Sequence, residues 1–262
     1  MKKRGARLGQ HFLTSRAVVK RILDVSGIQK TDTVLEIGPG EGILTEELIA
    51  RAGRVVAIEK DAMLARKLRE KFAEKDNLVL IEGDIRTILK KPEKYGINLA
   101  SLAVIANIPY YLTGQLFRSL VSDTETVPRL LVLMVQKEVA ERATAREKTN
   151  LLALSLQPFV EAQNAFRVSR GQFNPPPNVD SAILILKRRT RSLLDEQTIP
   201  KKRYFALLRA AFCQKRKIAL STLKKKRLSS ETAFSQCAVP LNARPEDISS
   251  AQWLCITKKS GE

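Results

Sequence analysis

Four consecutive residues, Asn107-Ile108-Pro109-Tyr110, hold the most specific chemistry in the sequence. The side-chain oxygen of Asn107 and the backbone carbonyl of Ile108 are acceptors for the two N–H bonds of an exocyclic amine. Such an amine is a poor nucleophile because its lone pair is delocalised into the ring, and two acceptors would localise that lone pair. Pro109 holds the preceding residue extended, and Tyr110 offers a ring for base stacking. The segment therefore predicts a catalytic site, formed by these four residues, for the amino group of a nucleobase.

A glycine-rich segment, Glu36-Ile37-Gly38-Pro39-Gly40-Glu41-Gly42, lies between a predicted strand over 33–37 and a predicted helix over about 41–51. Glycines let the backbone turn sharply and let a ligand approach closely. The spacing is G-x-G-x-G, and no Gly-Lys-Ser/Thr follows. These features exclude a P-loop and weaken the case for a pyrophosphate-binding loop.

Two acids follow the glycine-rich segment at the ends of the next predicted strands. Glu59 lies 21 residues after Gly38, and Asp84 follows the third strand. The first can accept hydrogen bonds from ribose hydroxyls, and the second from an adenine amino group. Because open α/β sheets bind ligands at the carboxyl ends of their strands, the set predicts an adenosine-containing cofactor. The loop resembles that of S-adenosylmethionine-dependent methyltransferases, whose sulfonium donor allows direct displacement without a covalent enzyme intermediate.

Up to residue 190, short apolar strands alternate with helices, which indicates a parallel sheet covered on both faces. We predict an α/β fold: a Rossmann-like class I methyltransferase sheet in a cofactor-binding catalytic domain over 1–190, followed by a small all-helical C-terminal domain over 191–262. Strands are predicted at 33–37, 54–58, 78–81, 101–106, 129–135, about 159–166 and 181–187, and early helices at 15–26 and 61–73. The C-terminal domain has predicted helices over 201–214 and 216–226.

The positive charge is concentrated toward the C-terminus. The chain has a formal net charge of +19, and residues 187–262 contain 18 Lys and Arg against 6 Asp and Glu. Such an excess predicts a polyanionic partner, with the basic side chains contacting RNA phosphates. The residues expected to do so are Lys187, Arg188, Arg189, Lys215, Arg216, Lys217, Lys224, Lys225, Lys226 and Arg227.

Several classes of protein are disfavoured by the residue counts. The 262 residues contain no apolar run near the ~18 residues that span a bilayer, and no apolar segment follows the basic N-terminus. One histidine and three widely spaced cysteines, none of them after a proline, argue against a metal site, a disulfide framework and a thiol nucleophile. We expect a monomeric cytoplasmic enzyme that uses no metal and binds no membrane.

The motifs together resemble the KsgA-type ribosomal RNA adenine dimethyltransferases over nearly the whole chain. The resemblance includes Gly9–Leu13, the glycine-rich segment, Asn107–Tyr110, Phe173–Ser181 and Ala211–Lys217. The resemblance implies that Phe173 and Tyr110 sandwich the target adenine. It also implies that His11 replaces the usual asparagine and Asn178 a frequent lysine. The implied cofactor-binding residues are His11, Leu13, Glu36, Gly38, Gly40, Glu59, Asp84 and Asn107.

The family implies two methyl transfers to each of two adjacent adenosines near the 3′ end of small-subunit rRNA in a precursor ribosomal subunit, with S-adenosylmethionine as the donor. Two alternatives remain at this point. One is an Erm-type relative that methylates large-subunit rRNA. The other is an RNA-binding assembly or transcription factor that retains the fold.

Overall fold

A computed structural model describes residues 11–214 and 217–260. By its internal contacts the chain divides into two compact units. The first comprises Met1–Ala140 and Ala162–Arg188, and the second comprises Glu141–Glu161 and Arg189–Glu262. The second unit thus contains residues 141–161 in addition to the C-terminal segment expected from the sequence.

The secondary structure follows the predicted alternation of strands and helices. The strands are β1 (Phe12–Leu13), β2 (Thr33–Ile37), β3 (Arg54–Glu59), β4 (Leu78–Glu82), β5 (Ala103–Asn107), β6 (Leu130–Gln136), β7 (Val160–Val168), β8 (Phe173–Asn174) and β9 (Ser181–Arg188). The helices are α1 (Arg16–Ser26), α2 (Ile43–Arg51), α3 (Ala62–Lys71), α4 (Ile85–Ile88), α5 (Thr113–Phe117), α6 (Lys137–Ala143), α7 (Leu151–Leu156), α8 (Leu193–Glu196), α9 (Lys201–Phe212), α10 (Ala219–Lys225), α11 (Glu231–Gln236) and α12 (Ser250–Lys259).

Seven strands form one sheet in the order β4-β3-β2-β5-β6-β9-β7. The five strands from β4 to β6 are parallel, as predicted, and their central members are almost wholly apolar. The expectation of a fully parallel sheet is wrong beyond them, because β9 runs antiparallel to β6. An apolar composition indicates that a strand is buried on both faces. It does not indicate whether the strand runs parallel or antiparallel to its neighbour.

The chain order reverses on either side of β2. The strands that follow it, β3 and β4, lie on one side, whereas β5 lies on the other. At such a switch point the connections leave in opposite directions and open a crevice at the carboxyl ends of the strands. The glycine-rich segment and Asn107 stand at this place, because the first follows β2 and the second ends β5.

A two-stranded ribbon, β1 with β8, pairs the start of the described chain with a distant segment. Phe12 is opposite Asn174, and Leu13 is opposite Phe173. Helix α1 follows with Ser15 as its N-cap, which accepts a hydrogen bond from the backbone N–H of Val18. No sequence pattern predicted the ribbon, since two-residue strands have no periodicity to detect.

The second unit has its own core, in which Trp253, Tyr204 and Phe234 are fully buried. Tyr204 donates a hydrogen bond from its hydroxyl to the carbonyl of Leu154 at 3.0 Å, which ties α9 to α7. This contact is a physical reason for grouping residues 141–161 with the C-terminal helices.

Two details of the second unit differ from the sequence expectations. Helix α10 begins at Ala219, not at residue 216, and Ile218 is its N-cap. Cys237 and Cys255 form a disulfide with their Cα atoms 5.7 Å apart. The expectation that the cysteines form no disulfide is therefore wrong for this pair, since the fold brings two helix-associated residues together that lie 18 positions apart.

Candidate active site

A cavity of about 500 Å³ lies at the carboxyl ends of β2, β3, β4 and β5. It gathers residues from segments that are far apart in the sequence. Every residue predicted to bind the cofactor lines it, together with the four residues of the Asn-Ile-Pro-Tyr segment. The shared set is His11, Leu13, Glu36, Gly38, Gly40, Glu59, Asp84, Asn107, Ile108, Pro109 and Tyr110.

The glycine loop is shaped by backbone conformations that other residues rarely adopt. Gly42 has φ of +81°, and a Cβ atom there would lie 2.7 Å from Leu68 Cδ2. A Cβ on Gly40 would lie 2.9 Å from the ring of Phe12. The glycines are therefore required both for the turn and for close packing around it.

Glu59 connects the loop to the end of β3. It is 4% exposed, and its two oxygens accept backbone N–H bonds from Gly40 at 3.1 Å and from Asp61 at 2.9 Å. A carboxylate oxygen can accept more than one hydrogen bond. Glu59 can thus organise the loop and still accept bonds from the hydroxyls of a ligand.

Glu36 is a buried carboxyl group on the central strand β2, and it is 1% exposed. Its Oε2 atom has no hydrogen-bond partner among the described residues. Burial raises the pKa of Glu36 from 4.5 to about 8, helped by the negative charge of Glu59 and opposed by the hydroxyl of Thr45. A buried acceptor without a partner on a cavity wall is unfavourable, and it fits a ligand that carries an amino group.

Asp84 is held by two basic side chains that the sequence analysis did not single out. Arg86 binds both carboxylate oxygens, and Lys60 Nζ lies 3.1 Å from Oδ2. The Arg86 hydrogen bond, with further help from Lys60, keeps the pKa of Asp84 well below its usual value. Asp84 is therefore an ionised acceptor at the cavity wall over the ordinary pH range.

The side chain of Asn107 is oriented by the backbone of the first described residue. Its Nδ2 donates to the carbonyl oxygen of His11 at 3.1 Å. His11 is in turn located by its Nδ1, which is 2.9 Å from the carbonyl oxygen of Pro175. With its nitrogen committed in this way, Asn107 has its Oδ1 available as an acceptor.

The two tyrosines of the Asn-Ile-Pro-Tyr-Tyr run have different surroundings. The hydroxyl oxygen of Tyr110 lies 2.8 Å from Ser181 Oγ, and burial raises the pKa of Tyr110. Its ring centroid is 5.8 Å from that of His11. Tyr111 lines the same cavity but is 62% exposed.

Phe173 is not brought to the cavity, and the structure does not place it opposite Tyr110 as a second wall for a base. Its ring is 4% exposed and belongs to the hydrophobic core of the first unit. Phe173 pairs through its backbone with Leu13 in the β1–β8 ribbon, so its side chain is drawn into the apolar cluster. The sequence motif did not reveal which way this ring points.

The predicted RNA-binding residues differ in how far the fold already engages their side chains. Arg188 donates to the carbonyls of Ala100 and Val127, and Arg189 binds the carbonyl of Gln157 and the carboxylate of Glu161. These two guanidiniums therefore support the fold. The exposed members of the predicted set are Lys187, Arg188, Lys217, Lys224, Lys225, Lys226 and Arg227, while Lys215 and Arg216 lie outside the described residues.

Within residues 11–214 and 217–260, no group of three or more His, Cys, Asp or Glu side chains could hold a metal ion. No helix in the same part of the chain is long and apolar enough to cross a membrane.

The sequence analysis assigned no role to four residues that the structure places at this site. Lys60 directly follows Glu59, and Arg86 is two positions after Asp84, so closeness in sequence to the predicted acids was an available signal. Tyr111 could have been noticed in the sequence because it directly follows Tyr110. Ser181 could not be assigned as the partner of Tyr110, because the two residues are 71 positions apart.

Comparisons with known proteins show the family to which the chain belongs. A family model described as Ribosomal RNA adenine dimethylase matches residues 1–260. A ribosomal RNA small subunit methyltransferase A of Dehalococcoides mccartyi (strain ATCC BAA-2266 / KCTC 15142 / 195) is 37% identical over 256 residues, which cover 95% of this chain and 86% of that protein. A protein of the same name from Synechococcus sp. (strain CC9605) is 35% identical, with 96% and 94% covered.

Two solved structures are similar over almost their full length. The 23S rRNA methyltransferase ErmE has a TM-score of 0.76 and 28% identity, with 96% of this chain and 100% of that chain covered. A dimethyladenosine transferase from Plasmodium falciparum has a TM-score of 0.77 and 24% identity, with 96% and 98% covered. The fold and the site define a Rossmann-like methyltransferase of class I. The chain belongs to the ribosomal RNA adenine dimethylase family.

Proposed function

We propose that this protein transfers methyl groups from S-adenosylmethionine to N6 of adenosine in small-subunit rRNA, two to each of two adjacent adenosines near the 3′ end. The observation that carries the proposal is the orientation of Asn107. Its nitrogen is bonded to the carbonyl of His11, so its oxygen remains as an acceptor in a cavity that Glu59 and Asp84 also line. Membership of the family supports the substrate class.

The carboxylates of the cavity suit the polar parts of the cofactor. Glu36 would accept a hydrogen bond from the methionine amino group, which would satisfy its unpartnered Oε2. Glu59 would accept from the ribose hydroxyls and Asp84 from the adenine amino group. When bound, S-adenosylmethionine supplies an activated methyl group on its sulfonium.

The Asn-Ile-Pro-Tyr segment acts on the target base. Asn107 Oδ1 and the Ile108 carbonyl would accept the two N–H bonds of N6 and localise its lone pair toward the methyl group. Ile108 is only 1% exposed, and its backbone N–H donates to the Met134 carbonyl, so this part of the segment is anchored to β6. Positioning of this kind accounts for much of the rate acceleration in a direct displacement. Tyr110 would stack on the adenine, which must leave its RNA surroundings to enter the cavity.

Two transfers to one nitrogen place a limit on the acceptors. After the first transfer N6 has one N–H left, so one acceptor must lose its partner and leave room for a methyl group. Asn107 and a backbone carbonyl are uncharged, and leaving one of them unpaired is less costly than leaving a carboxylate unpaired. An uncharged pair therefore suits dimethylation.

The exposed basic residues of the second unit would contact RNA phosphates without reading sequence. Among these exposed residues, we assign the role to Lys217, Lys224, Lys225, Lys226 and Arg227. We place the enzyme in the cytoplasm as a monomer that acts on a precursor of the small subunit, with no metal.

Mass spectrometry of both rRNAs, from cells with and without the gene, tests the proposal. We expect dimethyladenosine near the 3′ end of small-subunit rRNA to disappear with the gene and to return with the wild-type gene but not with Asn107→Ala. Loss of dimethyladenosine from large-subunit rRNA would instead identify an Erm-type activity. The 23S rRNA methyltransferase ErmE is one of the solved structures similar to this chain. No loss from either rRNA would favour an assembly or transcription factor.

A further inference from the structure

We propose that Tyr111 is a stacking platform for the nucleotide next to the target adenosine. This role concerns substrate binding and rests on the proposed function. It assigns a task to a residue that neither the cofactor pocket nor the acceptor pair for N6 requires.

Tyr110 and Tyr111 lie on one short 3-10 turn, Tyr110–Leu112. The turn is closed by the N–H of Leu112, which donates to the Pro109 carbonyl at 2.9 Å. Because a 3-10 helix has ~3 residues per turn, neighbouring side chains point in directions about a third of a turn apart. The two rings therefore occupy different places although they are consecutive.

The surroundings of the two rings show this division. Tyr110 is fastened by Ser181 and faces the interior of the site. Tyr111 is 62% exposed, the highest value among the exposed large hydrophobic side chains of the described residues. No hydrogen bond to the Tyr111 side chain occurs within the described part of the chain, and the burial of the turn is provided by Leu112, which is 8% exposed. Packing of the first unit therefore does not account for an aromatic ring at Tyr111.

Tyr111 shares the wall of the cavity with a positively charged side chain, that of Arg86. Its phenol is one of the groups that raise the pKa of Arg86, after the larger contribution of Asp84. The cavity is thus lined by an exposed ring and by a guanidinium, which Asp84 also binds. An aromatic ring with a nearby cation is the combination that binds single-stranded RNA, since the ring stacks on a base and the cation attracts phosphate.

Base flipping explains why a ring at this position would help to bind RNA. When one base leaves its stack to enter the cavity, the adjacent base loses a stacking partner. An exposed ring at the rim would replace that partner. Since the proposed reaction modifies two adjacent adenosines, Tyr111 would hold one of them while the other reacts.

The test is steady-state kinetics on unmodified small ribosomal subunits, with wild type, Tyr111→Ala, Tyr111→Phe and Tyr95→Ala. Tyr95 is a matched control because it is an exposed tyrosine, at 42%, that does not line the cavity. For Tyr111→Ala we expect the KM for the subunit to rise about 5- to 150-fold, which corresponds to ~1–3 kcal/mol of stacking free energy. The kcat and the affinity for S-adenosylmethionine should stay at wild-type values, and Tyr111→Phe and Tyr95→Ala should match wild type.

A second readout observes stacking without methyl transfer. An RNA with 2-aminopurine beside the target adenosine should lose fluorescence when wild type or Tyr111→Phe binds, but not when Tyr111→Ala binds. A KM for Tyr111→Ala equal to that of Tyr95→Ala would overturn the inference, as would equal losses in the Phe and Ala variants. If wild type methylates the subunit without quenching 2-aminopurine, the inference fails and the proposed function stands. If wild type methylates no small subunit, both fail.

Discussion

The side-chain nitrogen of Asn107 donates to the carbonyl oxygen of His11 at 3.1 Å, across 96 positions of sequence. The acceptor is a backbone atom, so the orientation of Asn107 depends on where the segment before α1 lies. The β1–β8 ribbon, which begins at Phe12, holds that segment in place.

Asn107→Asp should abolish methyl transfer even though it preserves the size of the side chain. The carboxylate would set an acceptor against the His11 carbonyl, and the resulting repulsion would rotate or displace the side chain. We expect kcat to fall about 100-fold or more, as happens when one oriented hydrogen-bonding group is removed from an active site. Transfer of tritium-labelled methyl groups to unmodified small subunits measures the loss. RNA affinity should be unchanged, and retained transfer by Asn107→Asp or Asn107→Ala would contradict the role of this residue.

Glu36 should make the free protein less stable as the pH rises. Its pKa is about 8 in the folded protein and near 4.5 when the chain is unfolded. Between these values the unfolded state binds fewer protons at this group than the folded state, so the contribution of Glu36 to stability falls as the pH rises. Glu36→Gln cannot ionise and should remove this fall.

The measurement is the Tm of both proteins across that pH range without cofactor. The Tm of Glu36→Gln minus that of wild type should increase with pH and level off above about 8, the folded pKa. A difference that does not vary with pH would show that Glu36 does not titrate as described.

Neutralising Lys224, Lys225 and Lys226 should weaken RNA binding and flatten its salt dependence. All three are exposed, although Lys224 Nζ is 2.6 Å from Glu231 Oε1 and would have to exchange that partner for a phosphate. Each phosphate that the protein no longer neutralises should reduce the slope of log K against log salt by about 0.7–0.9. We expect a reduction of up to about 3 in the triple alanine variant, measured by fluorescence anisotropy at several salt concentrations.

The matched control is a triple alanine variant at Lys67, Lys75 and Lys94, which are exposed residues of the first unit. It removes the same charge and should leave the slope closer to that of wild type. Affinity for S-adenosylmethionine should be unchanged in both. Equal slopes for the two variants would mean that net charge, not the location of the lysines, determines RNA binding.

Gly42→Ala should destabilise the first unit more than Gly96→Ala does. Both glycines have positive φ, +81° and +67°, so both substitutions impose backbone strain. A Cβ at Gly96 would meet nothing within 4 Å, whereas one at Gly42 would lie 2.7 Å from Leu68. We expect about 1 kcal/mol for Gly96→Ala from strain, and about 1–3 kcal/mol more for Gly42→Ala from overpacking. Urea denaturation measures both, and equal losses of stability would show that Leu68 moves aside without cost.

Much of the site could be predicted because it is built from local units. A buried strand, a tight turn and a helix occupy neighbouring positions in sequence, and an acid at the end of a strand stays at the end of that strand in the fold. Glu36, Gly38, Gly40, Glu59, Asp84 and Asn107 line one cavity for this reason, whereas His11 and Leu13 reach it through the β1–β8 ribbon. The strands predicted at 33–37, 54–58 and 78–81 were confirmed with ends shifted by at most one residue.

The sequence by itself determined the class of fold, the glycine loop, the order of the acids and the acceptor segment at Asn107, because composition and short spacing encode each of them. The tertiary structure alone decided what depends on pairing between distant segments. It turned β9 antiparallel to β6, buried Phe173 in the core of the first unit, joined Cys237 to Cys255 and grouped residues 141–161 with the C-terminal helices. Each of these outcomes is set by which surfaces bury the most apolar area together, and that quantity belongs to the folded chain and not to any local run of residues.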